Sequence, residues 1–213
     1  FQDHISFIRS QTEKGLAKIP LKPNLSNYFY DPIDYVLKGK GKRLRPVLVH
    51  LAGQVYNASP DDLMKAGLAV ELLHNFTLVH DDIMDNDTVR HGKKTIHEKW
   101  DSSTAILAGD GIYTIAQIIL NEIPSNGVLL SKYFNKTTLE ICEGQALDKE
   151  FENNHDVDRE MYFDMINKKT GSLLGASAAL PIIYNDGNEE QIYIYEQFGR
   201  NLGMGFQIHD DLL

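Results

Sequence analysis

Three carboxylates fall within five residues at the end of Glu71-Leu-Leu-His74-Asn-Phe76-Thr77-Leu-Val-His80-Asp81-Asp82-Ile-Met-Asp85, in a segment that is otherwise largely apolar. Upstream, Ser59-Pro60-Asp61-Asp62 reads as an N-cap with proline at the first helical position, so a helix is expected from about Asp61 to Met84. On that helix Asp81 and Asp85 lie one turn apart on one side, and His74, two turns before Asp81, falls on the same side. Like charges this close repel, and a core helix carries them only where water or cations neutralise them. Oxygen donors in this number suit a hard divalent ion. Magnesium fits best, because it accepts one or two carboxylates, keeps waters and completes its shell with substrate phosphate. A lone D-D-x-x-D is more often a solvated helix end; the apolar neighbours Phe76 to Val79, Ile83 and Met84 favour the metal here.

The remaining pattern is also helical. Gly 16 and Pro 7 cluster between long segments of helical period and do not punctuate short alternating runs. An apolar stretch opens at Pro46 and runs to Tyr56. Helices are expected at about Ser103 to Glu122, Asn126 to Phe151, Arg159 to Leu180 and Asn188 to His209. Loops are expected at Asn86 to Lys99, Pro124 to Asn126, Asn153 to Asp156 and Pro181 to Gly187. Connections this short join antiparallel neighbours, so the fold class is all-α, an antiparallel helical bundle with its sites between facing helices. No stretch reaches the roughly 18 to 20 uninterrupted apolar residues of a bilayer span, and Phe1 to Lys18 lacks the apolar core of a signal peptide. Cys142 is the single cysteine, so neither an internal disulfide nor a Cys-rich metal site can form. A single domain spanning 1–213 and a cytoplasmic setting are expected. The chain stops in mid-pattern at Asp210-Asp211-Leu212-Leu213, which leads us to expect that C-terminal sequence is missing.

With 21 Lys+Arg against 30 Asp+Glu the formal charge is −9. Most of such a surface repels polyanions, which argues against nucleic-acid binding, and a phosphate-bearing ligand then needs a local basic patch or metal ions. Lys38-Gly39-Lys40-Gly41-Lys42-Arg43-Leu44-Arg45-Pro46 is such a patch. Its glycines let backbone approach a ligand, and its cations offer charge-assisted hydrogen bonds to phosphate oxygens. It lacks P-loop spacing, and no predicted strand precedes it, so nucleotide hydrolysis is disfavoured. Arg90-His91-Gly92-Lys93 offers another phosphate contact. Lys169-Thr170 interrupts a helix of small and apolar residues, where the lysine either snorkels to the surface or points into a cavity. Glu143-Gly144-Gln145 with Asp148 interrupts another, and mutual hydrogen bonding between helices is the plain reading there. Asp210-Asp211 ends the last helix; with the first cluster it could share metal ions across a cavity.

Taken together, Gly41-Lys42-Arg43-Leu44-Arg45-Pro46, Glu71 to His74 with His80 to Asp85, Arg90-His91-Gly92, Ala108-Gly109-Asp110, Glu143-Gly144-Gln145, Lys169-Thr170 and Phe206-Gln207-Ile-His-Asp210-Asp211 resemble, in order, the motifs of the trans-isoprenyl diphosphate synthases, or polyprenyl synthetases. The resemblance covers essentially the whole chain. It implies the isoprenoid synthase bundle with a deep central cavity, usually as a homodimer. It also implies a prenyltransferase that condenses isopentenyl diphosphate with an allylic diphosphate (dimethylallyl, geranyl or farnesyl). By the same resemblance Asp81, Asp82 and Asp85, with Asp210 and Asp211 opposite, hold three magnesium ions. Arg90, Lys169, Thr170 and Gln207 serve the allylic side, while Lys42, Arg45, His74 and His91 serve isopentenyl diphosphate. Asp81, Asp82, Asp85, Lys169 and Gln207 are the residues it implies for catalysis. The chain departs from the family pattern where Arg-Arg-Gly is usual and Arg90-His91-Gly92 stands here, and the second aspartate motif lacks its third aspartate.

Product length is implied by the same resemblance. Wheel geometry alone sets Phe76 about 140° from Asp81, at roughly 100° per residue. An aromatic at Phe76, a small residue at Thr77 and no insertion between Asp81 and Asp85 are most similar to archaeal geranylgeranyl diphosphate synthases. A C20 product is therefore expected, with C15 farnesyl diphosphate as the alternative. Retention of Lys42, Arg45 and His74 counts against a terpene cyclase. An HD-type metal phosphohydrolase would exploit His80-Asp81, but His50, His91 and His97 show no ligand grouping. A non-catalytic synthase subunit would be expected to lose acids that this chain keeps.

Overall fold

The computed structural model describes every residue except Pro23, Asn24, His155 and Leu213. His155, in the loop expected at 153–156, and the terminal Leu213 thus lie outside the described residues. The chain folds as α1 (Gln2–Ala17), α2 (Tyr30–Leu37), α3 (Leu44–Gln54), α4 (Pro60–Met84), β1 (Val89–Arg90), β2 (Lys93–Lys94), α5 (Ile96–Lys99), α6 (Ser102–Asn121), α7 (Gly127–Phe151), α8 (Arg159–Ile166), a π-helical segment Asn167–Gly171, α9 (Ser172–Tyr184) and α10 (Glu189–Asp211). The all-α class expected from the sequence is what is observed. The chain divides into two compact units. The first comprises Phe1–Val47 with Leu68–Ile119, and the second comprises Leu48–Gly67 with Leu120–Leu213.

In the first unit, α4 supplies the centre of the core. Leu68, Ala69, Val70, Leu72 and Leu73 are buried in succession, so this stretch is enclosed on every side. Helix α1 is not anticipated from the sequence because its buried stripe is narrow, only Ile8, Thr12 and Leu16 one turn apart. Helix α6 is long and apolar enough, on length and composition, to cross a membrane. Its Ala105, Ala108, Ile112, Ala116 and Leu120 are wholly buried at helical spacing, which is the pattern of a core helix. The expected loop at Asn86 to Lys99 contains a two-stranded antiparallel hairpin, with Val89 opposite Lys94 and Arg90 opposite Lys93, followed by α5. Its two-residue turn is His91-Gly92, both at positive φ (49° and 76°), the combination that matches the twist of a tight hairpin.

The second unit packs α9 against α10 and α7. Every residue of α9 is buried. That burial explains the main departure from expectation, because the helix runs through Pro181 to Tyr184 and does not stop at Leu180. Proline removes a backbone donor and clashes with the preceding turn, at a cost of about 3 kcal/mol in a helix interior. Burial of Leu180, Ile182, Ile183 and Tyr184 outweighs it. The expected helix from Arg159 is also not continuous, since its middle is the π segment. Helix α10 opens with a reciprocal capping box, in which Asn188 and Gln191 exchange backbone-to-side-chain bonds of 3.0 and 2.9 Å. Glycine sets the α9–α10 spacing. A Cβ at Gly199 would run into the Leu174 carbonyl and the Gly175 backbone, which cannot swing aside as a side chain can.

Gly199→Ala is therefore expected to lower unfolding stability by roughly 1–3 kcal/mol through overpacking, measured as a shift in the urea midpoint. An unchanged midpoint would mean that α10 can move off α9 without cost.

Candidate functional site

The basic loop is anchored before it is exposed. Arg43 takes a left-handed backbone (φ 48°), is buried, and pairs with Glu71 of α4 at 2.7 Å while also donating to the Gly39 carbonyl. Arg43 is thus the strut of the loop. Its neighbours Lys42, exposed, and Arg45, half-buried, are the cations the loop presents. Arg45 Nε is buried and has no hydrogen-bond partner among the described residues. Burial lowers the pKa of its guanidinium, opposed in part by the charge of Glu71.

His74 lies three residues along α4 from Glu71. Although the residue is only half-buried, its pKa is held well below the ordinary histidine value. Desolvation is the main cause, and the positive charges of Arg45, Arg43 and Arg90 add to it. The first unit thus gathers cations from the basic loop and from the hairpin around a neutral imidazole. Among the expected site residues, Arg45, His74, Arg90 and His91 come together in this way.

The carboxylates at the end of α4 have three different surroundings. Asp82 is buried and accepts from Arg90 Nε, and the same guanidinium donates to Asp87 at 3.0 Å. Burial raises the Asp82 pKa, and Arg90 works against that rise. Asp81 is half-buried and Asp85 exposed. Among the described residues no three His, Cys, Asp or Glu side chains converge as a ready metal cage. The donor chemistry still fits magnesium, since two hard carboxylates one helical turn apart leave most of the shell to water and substrate oxygens.

Phe76 lies between two rings. His80 is 4.6 Å from it, centroid to centroid, and Tyr113 of α6 is 5.3 Å away. Tyr113 accepts at its hydroxyl from Gln117 Nε2 at 2.8 Å. The Ala108-Gly109-Asp110 motif makes room for this stack, because any Cβ at Gly109 would collide with the His80 ring. Thr77 turns its hydroxyl back onto the His74 carbonyl (2.8 Å).

The remaining expected residues belong to the second unit. Lys169, in the π segment, neither snorkels free nor stands unpaired; its Nζ donates to Asp148 of α7 at 2.6 Å. Gly144 permits the approach, since a Cβ there would overlap the Lys169 backbone. Thr170 donates to Gln207 Oε1 (2.9 Å), and Gln207 Nε2 donates to Asp211 Oδ1 (2.8 Å). The Tyr162 hydroxyl donates to the other Asp211 oxygen, and this bond is the main reason its pKa is pushed up to about 12. Asp210 is exposed. Sequence reasoning passes over Tyr162, Tyr113 and the strut role of Arg43. A tyrosine one turn from a helix start carries no motif signal, and by residue type Arg43 reads as one more cation of the patch.

Residues 26–213 match the sequence profile of the family described as polyprenyl synthetase. The chain is 40% identical over 187 residues to a geranylgeranyl diphosphate synthase of Methanosarcina mazei, covering 86% of this chain and 58% of that protein. It is 46% identical over 178 residues to a protein of the same description from Saccharolobus solfataricus, covering 81% and 54%. The solved geranylgeranyl pyrophosphate synthetase from Geoglobus acetivorans superposes with a TM-score of 0.90 at 38% identity, covering 99% of this chain and 68% of that one. The chain belongs to the polyprenyl synthetase family and has its all-helical fold. It spans about three fifths of the length of the curated relatives it matches.

The depressed pKa of His74 has a defined sign in stability. Between its folded value and the unfolded value of 6.5 the unfolded chain binds the extra proton, so stability rises with pH in that window. The contribution is intact above about pH 6.5 and is lost as pH falls below it. Replacing His74 with Gln should therefore narrow the gap between melting temperatures taken at about pH 7.5 and about pH 5.5. Thermal melts of both proteins check this, and an unaltered gap refutes it.

Proposed function

We propose that the protein is a magnesium-dependent trans-prenyltransferase that condenses isopentenyl diphosphate with an allylic diphosphate to give C20 geranylgeranyl diphosphate. The observation that carries this reading is the gathering of Arg45, Arg43, Arg90 and His91 around a neutral His74, in a chain whose formal charge is −9. Such a site attracts a compact, highly charged anion and has little use for a neutral substrate.

In this reading Lys42, Arg45 and His74 hold isopentenyl diphosphate, His74 donating a hydrogen bond as the uncharged ring, with His91 at the edge of the seat. Arg90, Lys169, Thr170 and Gln207 serve the allylic diphosphate. Asp81, Asp82, Asp85, Asp210 and Asp211 would hold magnesium together with substrate oxygens, Asp82 exchanging part of its bond to Arg90. When bound, magnesium supplies positive charge to the departing diphosphate. Arg90 and Lys169 add to that stabilisation as the allylic C–O bond breaks, and preorganised charge matters most at this step. The alkene of isopentenyl diphosphate then attacks the allylic carbon, a C–C bond forms, and the proton lost goes to the departing diphosphate. No protein nucleophile takes part. In this reading an apolar cavity below the metals would keep water from the carbocation. The Phe76 ring, braced by His80 and Tyr113, closes the path of the growing chain. A homodimer is part of the proposal, supported by the exposed apolar side chains Val128, Leu129 and Leu139 on α7.

The test is incubation with magnesium, isopentenyl diphosphate and geranyl or farnesyl diphosphate, followed by chromatography of the products. A C20 product is expected, and folded, metal-loaded protein that yields no elongated product would overturn the synthase reading. In the same assay Phe76→Ala should yield products longer than C20, while an unchanged distribution would remove Phe76 from the floor.

A further inference from the structure

Tyr35 lies near the end of α2, three residues before Lys38 opens the basic loop. Its polar and ring contacts go to one short stretch of chain some sixty residues further on. The hydroxyl donates to the backbone carbonyl of Lys94 in β2 at 2.9 Å. The ring meets Trp100 edge-on, with centroids 5.5 Å apart and planes at 72°. Lys99 Nζ sits 3.8 Å from the Tyr35 centroid and 4.5 Å from that of Trp100, a cation shared between two π faces. Lys93 Nζ approaches the Tyr35 ring at 5.6 Å from the other end of the stretch. The hairpin so held is small, two residues per strand, and such a ribbon is marginal without outside support. Its other ties are the bonds from Thr95 to the Thr88 and Asp87 carbonyls, at 3.1 and 2.7 Å, and those of Arg90 to Asp87 and to Asp82 of α4. Tyr35 therefore connects the helix that leads into Lys42 and Arg45 with the hairpin that carries Arg90 and His91.

We propose that Tyr35 is a positioning residue for the isopentenyl diphosphate seat: through Lys94 and Trp100 it fixes the hairpin against the basic loop. The assignment rests on the synthase reading, in which both segments contact diphosphate. Because the bond ends on an exposed backbone carbonyl, its loss can be answered by water. Tyr35→Phe keeps the ring, the edge-on contact and both cations, and deletes only the bond. It is expected to leave the melting temperature unchanged.

The experiment pairs steady-state kinetics of Tyr35→Phe with hydrogen exchange of the amides at residues 89–94. Exchange in the hairpin should quicken, and KM for isopentenyl diphosphate should rise by about 2- to 12-fold, the range for one lost hydrogen bond. The allylic KM, which feels the hairpin only through Arg90, should rise by less than that for isopentenyl diphosphate, and kcat should stay within about twofold of wild type, on the same scale. Unchanged hairpin exchange, or equal losses in both KM values and kcat, would overturn the assignment. Tyr35→Ala, which also removes the ring, should give the larger effect in the same direction, and a smaller one would count against the proposal. Calorimetric binding of inorganic pyrophosphate gives a readout that needs no turnover. A wild type that does not condense substrates, yet binds pyrophosphate more weakly once Tyr35 is Phe, would refute the synthase reading and keep the positioning role. A wild type that condenses normally, with identical pyrophosphate binding and isopentenyl diphosphate KM in the variant, would do the reverse.

Discussion

The buried pair between Arg43 and Glu71 is the contact on which the geometry of the basic loop depends. Both side chains are almost wholly removed from water, so neither charge is tolerable without the other. Arg43 meets Glu71 from a left-handed backbone, between Gly41 and Arg45. The turn has a consequence on either side. It leaves Lys42 exposed and brings Arg45 inward, where its guanidinium is partly desolvated. Charge stripped of water interacts more strongly with an arriving anion than charge left in solvent. The same α4 that supplies Glu71 carries His74 a turn later and Asp81 two turns after that. Glu71, His74, Asp81 and Asp82 are therefore set on one helix, and Asp85 follows directly on its end.

A net charge of −9 obscures how the acids are employed. Asp82 and Asp87 hold Arg90, Asp148 holds Lys169, and Glu140 with Glu196 hold Arg200. These carboxylates aim cations. An arginine forked between two acids loses side-chain freedom before any ligand arrives, so binding has less ordering left to impose. Close packing does equivalent work in the second unit. Gly144 lets the Lys169 backbone approach α7, and Gly199 lets α10 lie on α9, from which Gln207 reaches Thr170.

Much of this is legible in the residues themselves. Helices α4, α6, α7 and α10 begin and end close to where their caps and apolar periods indicate, because Ser59-Pro60 and Asn188 with Gln191 act locally. The failures are non-local. Pro181 reads as a stop because proline has a helix cost, and only complete burial of α9 reveals that the cost is outweighed. The π segment leaves no mark in composition. Helix α1 escapes notice since three buried residues suffice to seat it. At the candidate site, spacing sets His74, Asp81 and Asp85 on one side of a helix and composition marks Arg45 as part of a basic loop, while the roles of Arg45 and Lys169 come from the family resemblance. Their partners are set by tertiary approach, so the Asp148 contact of Lys169 and the ring stack on Phe76 cannot be read from spacing.

The state of His74 ties these points together. Desolvation of the ring and the three arginines near it hold its proton affinity down, so in the unliganded chain it adds little to the positive field at neutral pH. In the proposed function, isopentenyl diphosphate held by Lys42 and Arg45 beside His91 would place negative charge against that same field and cancel much of the repulsion. The proton affinity of His74 must then rise on binding, by the reciprocity that links any two ligands of one site. A lysine at this position would keep its charge in the empty site and add to the mutual repulsion of the arginines. A neutral imidazole avoids that cost and still offers a donor to the ligand. Its position two turns before Asp81 on α4, among the cations of the basic loop and the hairpin, is what makes this exchange available.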